Sequence, residues 1–199
     1  MKLNLGCGSK KLEGWINVDS VAGVEPDLLH DISLPFQYAD YSIDEILAEG
    51  ILEHFDKYLR FIIFYEWVRM LKMGGIITIG VPNFHKILCR YFKFNFDTFL
   101  DNIFGETMLE SEVYIGHFGI HKWGYTENTL KEFVKKFGMK PIKIDKKGLS
   151  LTLSARKCEH IKKEKIDNME IYSSANDNGL GKGSIFVKQV RQKVKGFFG

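Results

Sequence analysis

Apolar side chains fall in short unbroken runs through the first half of the chain, each stopped by glycine, proline or an acid, and such runs predict buried strands of a parallel sheet. Lys2 to Leu5 leads into Gly6-Cys7-Gly8, and Trp15 to Asp19 ends on an acid. Asp27 to Asp31 makes a third short strand and Ser42 to Leu47 a fourth. The β-branched run Ile76 to Val81, halted by Pro82-Asn83, suits a central fifth strand. Between Phe55 and Lys72 the period changes. Leu59, Ile62, Ile63, Val68, Met70 and Leu71, interleaved with Arg60, Glu66, Arg69 and Lys72, follow a helical repeat that Gly74-Gly75 terminates. Glu127 to Phe137 is a second amphipathic helix, opened by Thr126 as N-cap and closed by Gly138. Lys140 to Asp145 and Leu149 to Arg156 alternate as two last strands, an antiparallel hairpin at one sheet edge.

Strand, helix, turn and strand in repetition predict an α/β fold: a Rossmann-like, doubly wound, mainly parallel sheet with a C-terminal antiparallel hairpin and helices on both faces, a three-layer sandwich. One connection is unusual. Ser9 to Gly14 falls well below the dozen or so residues of a helical crossover, so the first helix is reduced to a turn. Phe84 to Tyr125 is long, aromatic-rich and without a single period, and is expected as an insertion over the carboxyl ends of the strands. Residues 1–158 thus form one domain with an insertion at about 84–125, followed by a polar linker at 159–182. The last segment, 183–199, spaces Val187, Val190, Val194 and Phe197 as on a helix among Lys188, Arg191, Lys193 and Lys195, which suits docking on the domain, on a second copy or on an anionic membrane surface.

Composition narrows the function classes. The 199 residues, 45% apolar and 27% charged, are those of an ordinary globular domain, and a net charge of +3 is too small to point to nucleic acid. The three cysteines, Cys7, Cys89 and Cys158, are odd in number and lack metal-ligand spacing, so neither a disulfide framework nor a zinc site is expected. With no span-length apolar run and no signal-type start, a cytoplasmic location is expected.

The candidate chemistry begins where the first strand meets Gly6-Cys7-Gly8. Glycine lets backbone approach a ligand that a Cβ would push away, and Asp19, at the end of the next strand, can accept two ribose hydroxyl hydrogens. A nicotinamide cofactor is open at this point, although the third glycine of G-x-G-x-x-G is missing.

Leu5-Gly6-Cys7-Gly8, Asn17-Val18-Asp19, Asp31-Ile32-Ser33-Leu34-Pro35-Phe36, Ser42-Ile43-Asp44, Ile51-Leu52-Glu53-His54 and Leu71-Lys72-Met73-Gly74-Gly75, taken in order, resemble the class I S-adenosylmethionine-dependent methyltransferases, specifically the small type 11 kind. The resemblance covers residues 2 to 156 and implies S-adenosyl-L-methionine as cofactor. It implies that Gly6, Cys7 and Gly8 meet the methionine part and ribose, that Asp19 binds the ribose hydroxyls, and that Asp31 and Ile32 meet the adenine. Glu49 would face the amine or the sulfonium. Met73 stands where the family has proline, and no helical extension precedes the first strand, so the active-site cover is expected from the 84–125 insertion.

The implied reaction is methyl transfer to an oxygen or nitrogen of a small molecule or glycan precursor. A histidine can help remove the acceptor's proton. His54, His117 and His121 are the candidates, each also readable as a packing or capping residue, and no metal is expected. Two other classes remain open: a nicotinamide-dependent oxidoreductase, and a non-catalytic methyltransferase-like binding subunit.

Overall fold

The computed structural model describes residues 1–91, 96–105 and 120–160. A 7-stranded sheet runs through them, built from β1 (Lys2–Leu5), β2 (Ile16–Asp19), β3 (Leu28–Leu29), β4 (Ile43–Glu49), β5 (Leu71–Pro82), β6 (Met139–Asp145) and β7 (Ser150–Lys157). Its order is β3-β2-β1-β4-β5-β7-β6; β1 to β5 pair in parallel, and β7 inserts antiparallel between β5 and β6. The helices are α1 (Leu59–Met70), α2 (Phe84–Tyr91), α3 (Phe96–Phe104) and α4 (Glu127–Lys135).

Register explains which side of the sheet is core. Leu3, Ile46, Ile77 and Ala155 stand abreast, as do Leu5, Ala48, Ile79 and Leu153, and every one of them is fully buried. Against these rows lie α1 and α4, which meet each other through Phe61 and Phe133 (ring centroids 5.2 Å apart) and through Phe64 and Phe133 (5.0 Å). Each such ring, fully buried, contributes about 1.5–3 kcal/mol of hydrophobic free energy. The alternate rows are different: Asn4, Leu47, Thr78 and Ser154 share the opposite face, where Thr78 and Ser154 join hydroxyls at 2.9 Å.

Between β1 and β2 the short 9–14 connection is held by two asparagines on the strands. Asn4 donates Nδ2 to the Lys10 carbonyl (3.0 Å) and to Asn17 Oδ1 (2.9 Å). Asn17 Oδ1 in turn accepts from the Leu12 amide, and its Nδ2 donates to Asp27 Oδ2 at 2.7 Å. Side chains thus satisfy backbone groups that a helix would have satisfied itself. The reduction of the first helix to a turn follows from them.

Helix α1 corrects the sequence expectation twice. Nine of its twelve residues are buried, Arg60 and Glu66 included, so it has no solvated polar stripe. Glu66 is tied to the Phe36 amide (3.0 Å) and to Arg69, whereas Arg60 stacks over the Trp123 ring at 4.0 Å. The helix also stops at Met70, ahead of Gly74-Gly75. Lys157 ends it, donating Nζ to the carbonyls of Val68 (2.6 Å) and Leu71 (2.7 Å). Gly75 is needed for another reason: a Cβ there would stand 2.9 Å from the Lys72 carbonyl oxygen and 3.0 Å from that of Asp44.

The hairpin β6–β7 forms as expected, and α4 begins at Thr126, whose hydroxyl accepts from the Thr129 amide. Within the Phe84 to Tyr125 region, α2 and α3 are helical, and 92–95 and 106–119 lie outside the described residues. Most of the 159–182 linker and all of 183–199 also lie outside them.

Candidate functional site

Two cavities open at the carboxyl ends of the parallel strands. The first, about 240 Å³, is bounded by Gly6 after β1, Asp19 at the end of β2, Asp31 and Ile32 after β3, and His54 with Lys122 on the far side. Gly6 has φ +62°, and a Cβ added to it would lie 1.9 Å from Ile51 Cδ1, so only glycine fits. At Gly8, φ +50°, an added Cβ meets nothing within 4 Å, which leaves its approach open to a ligand.

Asp19 is tied into the same turn. Its Oδ2 accepts from the Gly8 amide and its Oδ1 from the Val21 amide, each at 2.9 Å. A carboxylate oxygen has two acceptor positions, so each retains one for a ligand hydroxyl. Asp31 Oδ1 accepts from the Ser33 amide at 2.9 Å, a turn that leaves Ile32 packed in the core at the cavity wall. Cys7 is buried beneath the turn, and burial, helped by the Asp19 charge, pushes its thiol up from the usual range. It is a packing group there. Glu49 is not brought to the cavity: its side chain lies along Gly80 on the neighbouring strand, where an added Cβ would be 3.1 Å from Glu49 Cγ.

The second cavity, about 180 Å³, lies between α2, α3 and the 121–124 segment, with Phe84, Ile87, Phe104 and His121 in its wall. Lys122 borders both cavities. Where they adjoin, the His54 and His121 rings approach to 4.9 Å between centroids. His54 closes a short 3-10 turn, Leu52–His54, and its Nδ1 lies 3.1 Å from the Ile120 carbonyl. Burial holds its imidazole down to about 4, against the opposing pull of that carbonyl, and burial likewise lowers His121. Both rings are therefore neutral at physiological pH. His117, the third expected histidine, lies outside the described residues.

The segment that carries His121 is fastened by a residue not singled out for the site in the sequence. The Glu53 carbonyl accepts from the Lys122 amide (2.7 Å) and the Trp123 amide (3.0 Å), and the Arg60 guanidinium covers Trp123. Glu53 itself is 2% exposed, its Oε2 has no hydrogen-bond partner, and burial lifts its carboxyl to about 8. A lone acid inside the apolar stretch Ile51 to Phe55 was the available signal.

Solved structures of methyltransferases superpose on this chain over about four fifths of its length. The chain has the class I methyltransferase fold. It is similar to a SAM-dependent methyltransferase of Methanosarcina mazei (TM-score 0.56, 18% identity, covering 80% of this chain and 92% of that one). It is also similar to the Burkholderia thailandensis 1,6-didemethyltoxoflavin-N1-methyltransferase, solved with its substrate and S-adenosylhomocysteine (TM-score 0.53, 16% identity, covering 79% and 71%). A third such structure is a SAM-dependent methyltransferase of Mesorhizobium loti (TM-score 0.52, 12% identity, covering 78% and 90%). No protein-family model and no curated protein matches the sequence. Among the described residues no helix is long and apolar enough to cross a membrane.

Proposed function

We propose that this chain is an S-adenosyl-L-methionine-dependent methyltransferase that acts on an oxygen or nitrogen of a small molecule or glycan precursor. The observation that carries the proposal is the first cavity, where a glycine-permitted turn and the Asp19 carboxylate, joined through the Gly8 amide, face the same space. Asp19 would hold the ribose hydroxyls, Asp31 the adenine amino group and Ile32 the adenine face, with Gly6 and Gly8 at the ribose and methionine part. The cofactor supplies a methyl group on positive sulfur, so the protein has chiefly to position the acceptor and exclude water. The second cavity is the acceptor's place in this scheme. Its wall is largely apolar and aromatic, and His121 stands in it beside His54. A neutral imidazole there accepts the proton that an attacking hydroxyl or amine loses.

Two features favour a methyl donor over a nicotinamide. The third glycine of the dinucleotide fingerprint is replaced, and the sheet ends in a reversed strand where the dinucleotide-binding order is parallel throughout. Calorimetric titration with S-adenosylhomocysteine tests the proposal in the native chain, Asp19→Ala and Gly8→Val. Binding by the native chain with at least a tenfold loss in each variant, about 1.4 kcal/mol, is the expected result. Equal affinity in all three removes the site, and stabilisation by NAD instead of S-adenosylhomocysteine in a thermal-shift assay removes the cofactor.

A further inference from the structure

Glu53, His54 and His121 bring one ligand-type atom each to within 4.8 Å of one another, a grouping of metal-binding donors that spans two separate segments of the chain. We propose that these three side chains bind a divalent transition-metal ion, zinc in the first instance, at the junction of the two cavities. Two imidazoles and one carboxylate suit a metal of borderline softness, and three protein ligands leave a further position for water or substrate.

Three observations converge on the site. Glu53 Oε2 is buried without a hydrogen-bond partner, and a buried carboxylate oxygen left so is costly unless a cation or donor reaches it. The Ile120 carbonyl sits 3.1 Å from His54 Nδ1, the kind of backbone partner that fixes the ring and tautomer of a ligating histidine. The arrangement is also enforced, because the Glu53 carbonyl fastens the Lys122 and Trp123 amides and so keeps His121 beside His54. Ligand atoms about 2.0–2.1 Å from a tetrahedral zinc stand about 3.3 Å apart. Binding therefore has to draw the three donors closer together than the 4.8 Å within which they now lie.

Occupancy of this site does not depend on the methyltransferase assignment; its role does. With the acceptor in the second cavity, the open position would take the acceptor oxygen and lower its pKa by Lewis-acid polarisation. His54 and His121, as ligands, would then not be the base, and the proton would pass to solvent water.

The test is a titration of the full chain, stripped with a chelator, with Co2+ followed by its visible absorption, and displacement by Zn2+. One equivalent should bind with the intense bands of a low-symmetry, four- or five-coordinate site. Affinity should fall at least tenfold in His121→Ala and in Glu53→Gln and remain unchanged in His85→Ala, which alters an exposed histidine that is not one of the three donors. Absence of the band, or a band of native strength in both site variants, overturns the proposal. Circular dichroism checks that each variant is folded; should Glu53→Gln unfold, His121→Ala alone decides. Retention of S-adenosylhomocysteine binding by His121→Ala, measured by calorimetry, keeps failure of the metal site distinct from failure of the cofactor site.

Discussion

Gly6 and Gly8 share the left-handed backbone region, but they answer to different neighbours. At Gly6 an added methyl must displace Ile51 Cδ1, 1.9 Å away, whereas at Gly8 it meets no atom within 4 Å. Left-handed strain costs about 1–2 kcal/mol at either position, and overpacking adds about 1–3 kcal/mol at Gly6 alone. Urea unfolding should therefore show Gly6→Ala losing about 2–5 kcal/mol and Gly8→Ala about 1–2 kcal/mol. Ile51→Ala should couple favourably to Gly6→Ala in a double-mutant cycle. Equal losses in the two glycine variants would place the cause in the backbone alone. At this scale the strand-end turn was legible in the sequence, since Gly-x-Gly after an apolar run carries its own explanation. The His54–His121 contact was not. It joins residues brought together by the Glu53 carbonyl and the Arg60–Trp123 stack, and no local period encodes such a pairing.

Helix α1 illustrates what an element's own pattern hides. Its apolar positions predicted a helix correctly, yet its charged residues, assigned to solvent by period, lie inside because their partners come from elsewhere in the chain: the Phe36 amide for Glu66, the Trp123 ring for Arg60. The same is true of its end, where Lys157 from β7 takes the place that Gly74-Gly75 was expected to fill. Lys157 is 3% exposed, and burial lowers its ammonium to about 8 from the ordinary 10.5, with the Asp40 charge opposing. Lys157→Met leaves the Val68 and Leu71 carbonyls without their charged donor and should cost about 1–3 kcal/mol at neutral pH. The pH dependence has a definite sign. Between about 8 and 10.5 the unfolded chain holds a proton at this lysine that the folded chain has released, so folding gains stability as pH rises through that window. Below about 8 both states are protonated and the contribution is flat. The difference between native and Lys157→Met unfolding free energies should consequently grow from pH 8 to 10.5; a flat or shrinking difference would contradict the buried-lysine assignment.

Over the whole molecule, the sheet was legible because its strands are short apolar runs with clear stops, and the shortness of the first crossover was legible as a length. What holds that crossover down was not, because the Asn4–Asn17–Asp27 hydrogen bonds join three strand ends that are distant in sequence. Both cavities draw their walls from residues between Gly6 and Gly124. The core closes behind them when β7 reaches Lys157, the Cys158 amide bonds the Gly138 carbonyl at 3.0 Å, and the Tyr41 hydroxyl meets His160 Nδ1 at 2.8 Å. Residues 161–199, by contrast, carry eight Lys or Arg against four Asp or Glu and hold the chain's basic excess. If cofactor recognition depends on the first cavity, a chain ending at His160 should retain S-adenosylhomocysteine affinity within about twofold of the full chain, a difference under about 0.5 kcal/mol. Its far-UV circular dichroism should still show the α/β spectrum. A tenfold loss of affinity in a folded truncated chain would mean that 161–199 forms part of the pocket wall. Equal affinity would confine the segment's basic residues to contacts outside the cofactor site.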